Sequence, residues 1–209
     1  MTLKIYLDSE TKTIQAKVLD VKKDGSCYKV VLDRTIFHPQ GGGQPSDEGR
    51  INNMPIIKVK EENNEVIHFI GTELSQHQEV ELDIDEAKRS IHTQLHSIGH
   101  LIGNIGLHRG YTPSKAHHWP DEAKVEFEGI NEEFPLDALY ISNQVQKYIQ
   151  QDLKRQQTTN QSGRRLVRFG DLPAWPCAGT HVISLSELPS NISYKVKNKK
   201  GKTVVSYSF

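Results

Sequence analysis

Only two cysteines, Cys27 and Cys177, occur among the 209 residues, too few for a disulfide framework. Long hydrophobic runs are also missing. No stretch approaches the roughly 18 apolar residues that a membrane-spanning helix needs. Nor is there an excess of charge of one sign: 26 basic side chains face 26 acidic ones, so no strong overall field draws the chain to nucleic acid or membrane. The opening MTLKIYLDSE carries acids where a secretory signal needs an apolar centre. With a mean hydropathy of −0.58, the expectation is a cytoplasmic protein in a reducing compartment. Its length allows one ample core or two modest domains.

Residues 1 to 84 read as a run of short strands. Leu3 to Leu7, Ile14 to Leu19, Cys27 to Leu32, Ile56 to Lys60, Glu65 to Phe69 and Val80 to Ile84 mostly alternate or are β-branched, and turn-prone pieces such as Lys23-Asp-Gly-Ser26 separate them. That spacing predicts a small antiparallel β-barrel. Residues 85 to 209 predict a second, α+β domain, with two helices on an antiparallel sheet. The first helix runs from Asp85 to about Leu107, with Gly110 soon after its end, and the second from Phe134 to about Gln156. Leu136, Leu139, Tyr140, Val145, Ile149 and Leu153 give the second helix its core stripe. Thr112 to Trp119 reads as loop, Lys124 to Glu128 and Arg165 to Phe169 as strands. The last two strands form a hairpin turning at Asn198-Lys-Lys-Gly201.

Two short stretches carry the chemistry. His96-Ser-Ile-Gly-His100 and Cys177-Ala-Gly-Thr-His181 each place two metal-ligating side chains four residues apart, and on a helix that interval puts both on one face. Three imidazoles and a thiolate suit Zn²⁺ better than Mg²⁺ or Ca²⁺. His92 extends the helical stripe, but its ends lie about 12 Å apart, so only adjacent histidines can share an ion. The apolar Leu101 and Ile102 favour His96 and His100. Such a zinc is either a closed structural site or one that polarises a carbonyl, orients a substrate group or activates water. The domain has enough apolar residues to fold unaided, which favours the functional role.

The loop Thr35-Ile-Phe-His-Pro-Gln-Gly-Gly-Gly-Gln-Pro-Ser-Asp47 is too rich in glycine for a strand. It lacks the Gly-Lys-Ser/Thr of a phosphate-binding loop, so no nucleotide cofactor is expected. Its glycines allow either a tight turn or close approach of a partner. Thr35 offers a hydroxyl and a methyl that could sense a small side chain. Basic residues gather locally at Arg164, Arg165 and Arg168, and again at Lys195, Lys197, Lys199, Lys200 and Lys202. Such groups can track phosphates, although a charge run is more often a solvated face. No aromatic residues interleave with them to make a stacking platform.

Gly-Gly-Gly-Gln-Pro-x-Asp, a helical His-x-x-x-His and Cys-x-Gly-Thr-His together resemble the AlaX family of free-standing alanyl-tRNA editing proteins, similar to the editing domain of alanyl-tRNA synthetase and related to that of threonyl-tRNA synthetase. Arg89, Ala116-His-His-Trp-Pro-Asp121, Val125-Glu-Phe-Glu-Gly129 and Val204-Val-Ser-Tyr207 also suit it. The resemblance implies hydrolysis of the ester joining serine or glycine to alanine tRNA, with a mischarged tRNA acceptor end as partner. It implies zinc ligands at His96, His100, Cys177 and His181, and pocket residues at Thr35 and Gln44. Ala178 stands where the family more often has glycine, and His38 where tyrosine is commoner. The C-terminal module of longer relatives is not seen, so the two domains are expected to hold the tRNA alone. Editing of Ser-tRNA(Thr), or a non-catalytic zinc-stabilised RNA-binding module, are the alternatives. Oligomeric state is not legible.

Overall fold

A computed structural model describes residues 1–209, which divide into two compact units, Met1–Ile91 and His92–Phe209. The first opens with β1 (Leu3–Lys4), which pairs in parallel with β4 (Arg34–Thr35). Instead of the expected strand through Leu7, a 3-10 turn at Ile5–Leu7 breaks the extension and buries Tyr6. The remaining strands are β2 (Thr13–Asp24), β3 (Cys27–Leu32), β5 (Gly49–Ile51), β6 (Met54–Glu62), β7 (Glu65–Ile70) and β8 (Glu79–Ile84). They bond antiparallel in the order β2-β3-β7-β6-β5-β8, and β8 returns to β2 to close a barrel.

The barrel follows from period-two patterning. In β8, Val80, Leu82 and Ile84 are buried while Glu79, Glu81 and Asp83 are exposed. Val18, Val30, Leu32, Ile51, Val59, Val66 and Leu82 fill the interior with no exposed surface. Closure leaves no open sheet edge. Two of the connections are asparagine pairs: Asn52-Asn53 between β5 and β6, and Asn63-Asn64 between β6 and β7, all at positive φ. Asparagine tolerates that left-handed region, which a two-residue hairpin turn requires.

Helix α1 (Glu86–His108) begins where the Asp85 side chain accepts the Lys88 N–H at 3.1 Å, an N-cap. It ends in a Schellman arrangement: Tyr111 N–H bonds Gly106 O, Gly110 N–H bonds Leu107 O, and Gly110 takes φ +77°. The second unit then builds β9 (Thr112–His117), β10 (Lys124–Glu128), helix α2 (Ala138–Gln150), β11 (Arg155–Thr159), β12 (Arg165–Phe169), β13 (Trp175–Pro176), β14 (Ser193–Lys199) and β15 (Lys202–Ser208). One antiparallel sheet runs β14-β15-β10-β9 and a second β11-β12-β13. No helix is long and apolar enough to cross a membrane.

Two expectations fail here. Residues 112 to 117 are a strand, not a loop. They lack alternation, and a register shift opposite Glu126/Phe127 interrupts the pairing, so the partner's hydrogen bonds rather than β9's own pattern define it. Helix α2 is shorter than expected at both ends. Asp137 caps it by accepting from Tyr140 N–H, and after Gln150 the chain turns through Asp152 at φ 48° into β11. Leu139, expected in the buried stripe, is 71% exposed, while Ile141, Val145 and Tyr148 face inward. These meet Ile98, Leu101, Ile102 and Ile105 of α1 and Val125, Phe127, Val205 and Tyr207 of the larger sheet in one core. Burying each such side chain contributes about 1.5–3 kcal/mol, which makes the α+β unit well supported by apolar packing.

Candidate metal centre

Of the three stripe histidines, the structure gathers two. His96 and His100, one turn apart on α1, meet Cys177 and His181, and the four ligand atoms all lie within 4.8 Å of one another. His92 is buried but stands outside this group. Cys177 Sγ lies 3.5 Å from His96 Nε2 and 3.2 Å from His181 Nε2. Tetrahedral zinc, bonded at about 2.3 Å to sulfur and about 2.0 Å to nitrogen, separates those atoms by about 3.5 Å, so the donor set fits such an ion. His100 Nδ1 is buried with no hydrogen-bond partner, an orphan of the kind that an ion relieves.

The cysteine-bearing loop is held down from several sides. Trp175 Nε1 donates to Asn104 Oδ1 at 2.8 Å, and the Thr93 and Thr180 hydroxyls meet at 2.8 Å. Arg165, counted in the sequence among residues that could track phosphates, is spent internally. Its guanidinium donates to the carbonyls of Cys177 (3.0 Å) and Gly179 (2.9 Å), and its Nε to Gln157. Arg155 donates to the His181 carbonyl at 2.6 Å.

Ser97 was missed by sequence reasoning, and it settles a tautomer. Its hydroxyl donates to Thr93 O at 2.8 Å and accepts from Val182 N–H at 3.1 Å. A hydroxyl has one donor, so His181 Nδ1, 3.2 Å away, must donate to it. His181 then presents Nε2 as a lone pair toward Cys177 Sγ. His118 lies within the Ala116-His-His-Trp-Pro-Asp121 motif, which gives no sign of its place beside the ligands. Tyr207 O–H donates to Leu95 O at 3.0 Å, so His118 Nδ1–H donates to Tyr207 at 2.6 Å. The His118 ring stacks on His96 at 4.4 Å between centroids, with Nε2 bearing its lone pair.

Burial keeps these imidazoles neutral, the form that can ligate. It pulls His100 down to about 3, helped by the neighbouring His118 and Arg165, and His118 down to about 4. His181 is lowered well below the usual histidine range by burial and by His100. Burial pushes the Cys177 thiol up, opposed by the Gly179 N–H on its sulfur and by Arg165. A bound cation reverses that sign and deprotonates the thiol.

Thr35 and Gln44 lie in the first unit and are fully buried. The Thr35 hydroxyl sits 2.8 Å from His68 Nε2 and accepts from Phe37 N–H at 3.1 Å. His68 Nδ1 faces Val30 O at 3.2 Å and must donate there, so Thr35 donates to Nε2. Gln44 pairs with Gly41 through both backbone bonds, across Gly42 and Gly43 at φ 58° and 80°. A Cβ on Gly42 would meet nothing within 4 Å; the turn's left-handed backbone, not a close approach, accounts for glycine there. Asp47 closes the loop by accepting from His38 N–H and from Arg89, whose guanidinium also reaches Ile36 O. Arg89 is therefore structural.

The chain is similar over most of its length to several known proteins. Over 207 residues the chain is 30% identical to the alanyl-tRNA editing protein AlaX-M of Pyrococcus horikoshii, covering 90% of the chain and 88% of that relative. The chain belongs to the AlaX family. A second AlaX protein of that organism, AlaX-L, is 29% identical over 88% of the chain, which spans 51% of it. The alanine–tRNA ligase of Halorubrum lacusprofundi is also 29% identical, over 90% of the chain but 23% of the ligase. The chain thus spans most of AlaX-M, about half of AlaX-L and about a quarter of the ligase. No family model matches it.

Proposed function

We propose that the protein is a trans-editing hydrolase that removes serine or glycine from mischarged alanine tRNA at a zinc ion held by His96, His100, Cys177 and His181. The observation that carries this reading is the meeting of four ligand atoms, from two distant stretches, within 4.8 Å. Relatives named as alanyl-tRNA editing proteins supply the substrate class. Zinc bound there would supply Lewis acidity toward the ester carbonyl and toward water.

The chain's own residues prepare the rest. Ser97 holds the His181 proton on Nδ1, and the Gly179 N–H donates to the Cys177 sulfur. Arg165 and Arg155 fix the loop backbone so that both ligands keep their direction. His118, kept neutral by burial, offers Nε2 as an acceptor for a water beside His96. Thr35 and Gln44 are proposed to select the amino-acid side chain. With its proton given to His68, Thr35 can only accept a further hydrogen bond. A serine hydroxyl supplies one, and neither an alanine methyl nor glycine does, so this selection serves the serine substrate, where polar discrimination is far stronger than rejection by size. Acting on tRNA, the protein is assigned to the cytoplasm and needs no nucleotide cofactor.

The test is deacylation of Ser-tRNA(Ala), Gly-tRNA(Ala), Ala-tRNA(Ala) and Ser-tRNA(Thr), with metal content measured alongside. Serine or glycine should be released from alanine tRNA with alanine spared, and Cys177→Ala should lose both metal and activity. Equal rates on all four substrates, or full activity in Cys177→Ala, would sink the proposal.

A further inference from the structure

The β14-β15-β10-β9 sheet buries one face in the core and turns the other outward. Val125, Phe127, Val205 and Tyr207 define the inner face. Directly paired residues share a face, so the register assigns the outer one: Lys195, Lys197 and Lys199 of β14 stand opposite Ser206, Val204 and Lys202 of β15. These in turn stand opposite Lys124, Glu126 and Glu128 of β10, and Lys115 and His117 of β9 follow. The two acids are already matched, Glu126 with Lys124 at 3.4 Å and Glu128 with Lys202 at 2.8 Å. Lys115, Lys195, Lys197 and Lys199 are exposed and have no carboxylate partner. In a chain of zero net charge, positive charge is thus concentrated on one face. Alternate residues of a strand lie about 7 Å apart, so β14 presents a row of ammonium groups at the scale of successive phosphates on one nucleic-acid strand.

A second, independent feature borders the same face. Just past β9, Trp119 is 37% exposed and stacks on His117, with centroids 5.5 Å apart and planes 12° from parallel. Glu122 lies 3.4 Å from His117 Nε2, on the ring edge rather than over the Trp119 face. An exposed indole braced by a parallel ring is a stacking surface for a base, and basic side chains alongside it supply phosphate contacts. We propose that this sheet face is an RNA-binding surface, with Lys115, Lys195, Lys197 and Lys199 on the phosphodiester backbone and Trp119 stacking an unpaired base. The inference rests on tRNA being the substrate and adds where it is gripped. The sequence concealed the site because Lys115 and Trp119 are separated from the β14 lysines by about 75 residues, and the two groups meet only through β10 and β15.

Fluorescence anisotropy with a dye-labelled alanine tRNA transcript, over a salt series, tests it. The triple variant Lys195→Ser/Lys197→Ser/Lys199→Ser should weaken binding at least about tenfold near 0.1 M salt. It should also reduce the slope of log Kd against log salt by about 2 to 3, since each phosphate contact accounts for about 0.7–0.9. A matched loss of charge on the barrel, Lys22→Ser/Lys23→Ser/Lys60→Ser, should change neither. Trp119→Ala should weaken binding fivefold or more while leaving the slope intact, because stacking releases no counterions. Equal losses in the two triple variants, wild-type affinity in the sheet triple, or tighter binding to phosphatidylserine vesicles than to tRNA would each overturn the assignment. Wild-type deacylation beside an unaffected sheet triple would remove this inference alone; a wild type that neither binds nor deacylates tRNA would remove the functional reading with it.

Discussion

Ser97 and Gly99, between the two helical ligands, show how much of the centre depends on residues that ligate nothing. Ser97→Ala removes the acceptor that keeps the His181 proton on Nδ1. Loss of such a supporting hydrogen bond costs roughly 10–100-fold in metal affinity, so competition with a chromophoric chelator should show zinc bound that much more weakly, with Ser97→Thr recovering part of it. Gly99 has a different reason to be small. A Cβ there would lie 2.2 Å from the His118 ring and 2.8 Å from the Tyr207 hydroxyl, whereas at Gly103 it would meet only Trp175 at 3.8 Å. Both glycines forgo about 1 kcal/mol of helix propensity relative to alanine. Overpacking costs about 1–3 kcal/mol, and a ring anchored to Tyr207 cannot retreat cheaply. Gly103→Ala should therefore raise the urea midpoint, and Gly99→Ala should lower it and loosen metal binding; the opposite order would contradict the packing described.

Within the elements, α1 was the most legible because its signals are local: an aspartate cap, a 3.6-residue stripe and a glycine stop. The ends of α2 and the existence of β9 were not. Leu153, at helical spacing from Ile149, lies past the last turn of α2 at Gln150, and β9 has no pattern apart from its partner. The barrel makes a separate prediction through His68, which is buried and bonded to Thr35. Burial lowers its pKa from the ordinary 6.5 to about 4. Between those values the unfolded chain binds a proton that the folded one does not. Stability is therefore complete above about 6.5 and falls as pH drops toward 4, by up to about 3 kcal/mol. His68→Gln should flatten the acid limb of urea midpoint against pH relative to wild type; an unchanged limb would show that the imidazole is not buried neutral.

At the level of the whole molecule, the large apolar core beside the four candidate ligands argues that the proposed zinc is an addition to the fold rather than its foundation. A chelator should therefore abolish deacylation while leaving far-UV circular dichroism largely intact; unfolding on chelation would favour the structural-zinc alternative. The four side chains that cluster were readable in the chain as candidate ligands, because His-x-x-x-His and Cys-x-x-x-His confine each pair by local geometry. The α+β class and the AlaX membership likewise follow from periodicity and motif. Three-dimensional packing alone decided that Arg165 serves the loop backbone and that Ser97 and His118 stand beside the four clustered side chains. It also decided that Trp119 shares a face with lysines some 75 residues away. The division has a physical cause. Residues four apart on a helix meet whatever the rest of the chain does, whereas tautomers, buried ion pairs and sheet faces depend on which distant strand or loop arrives opposite.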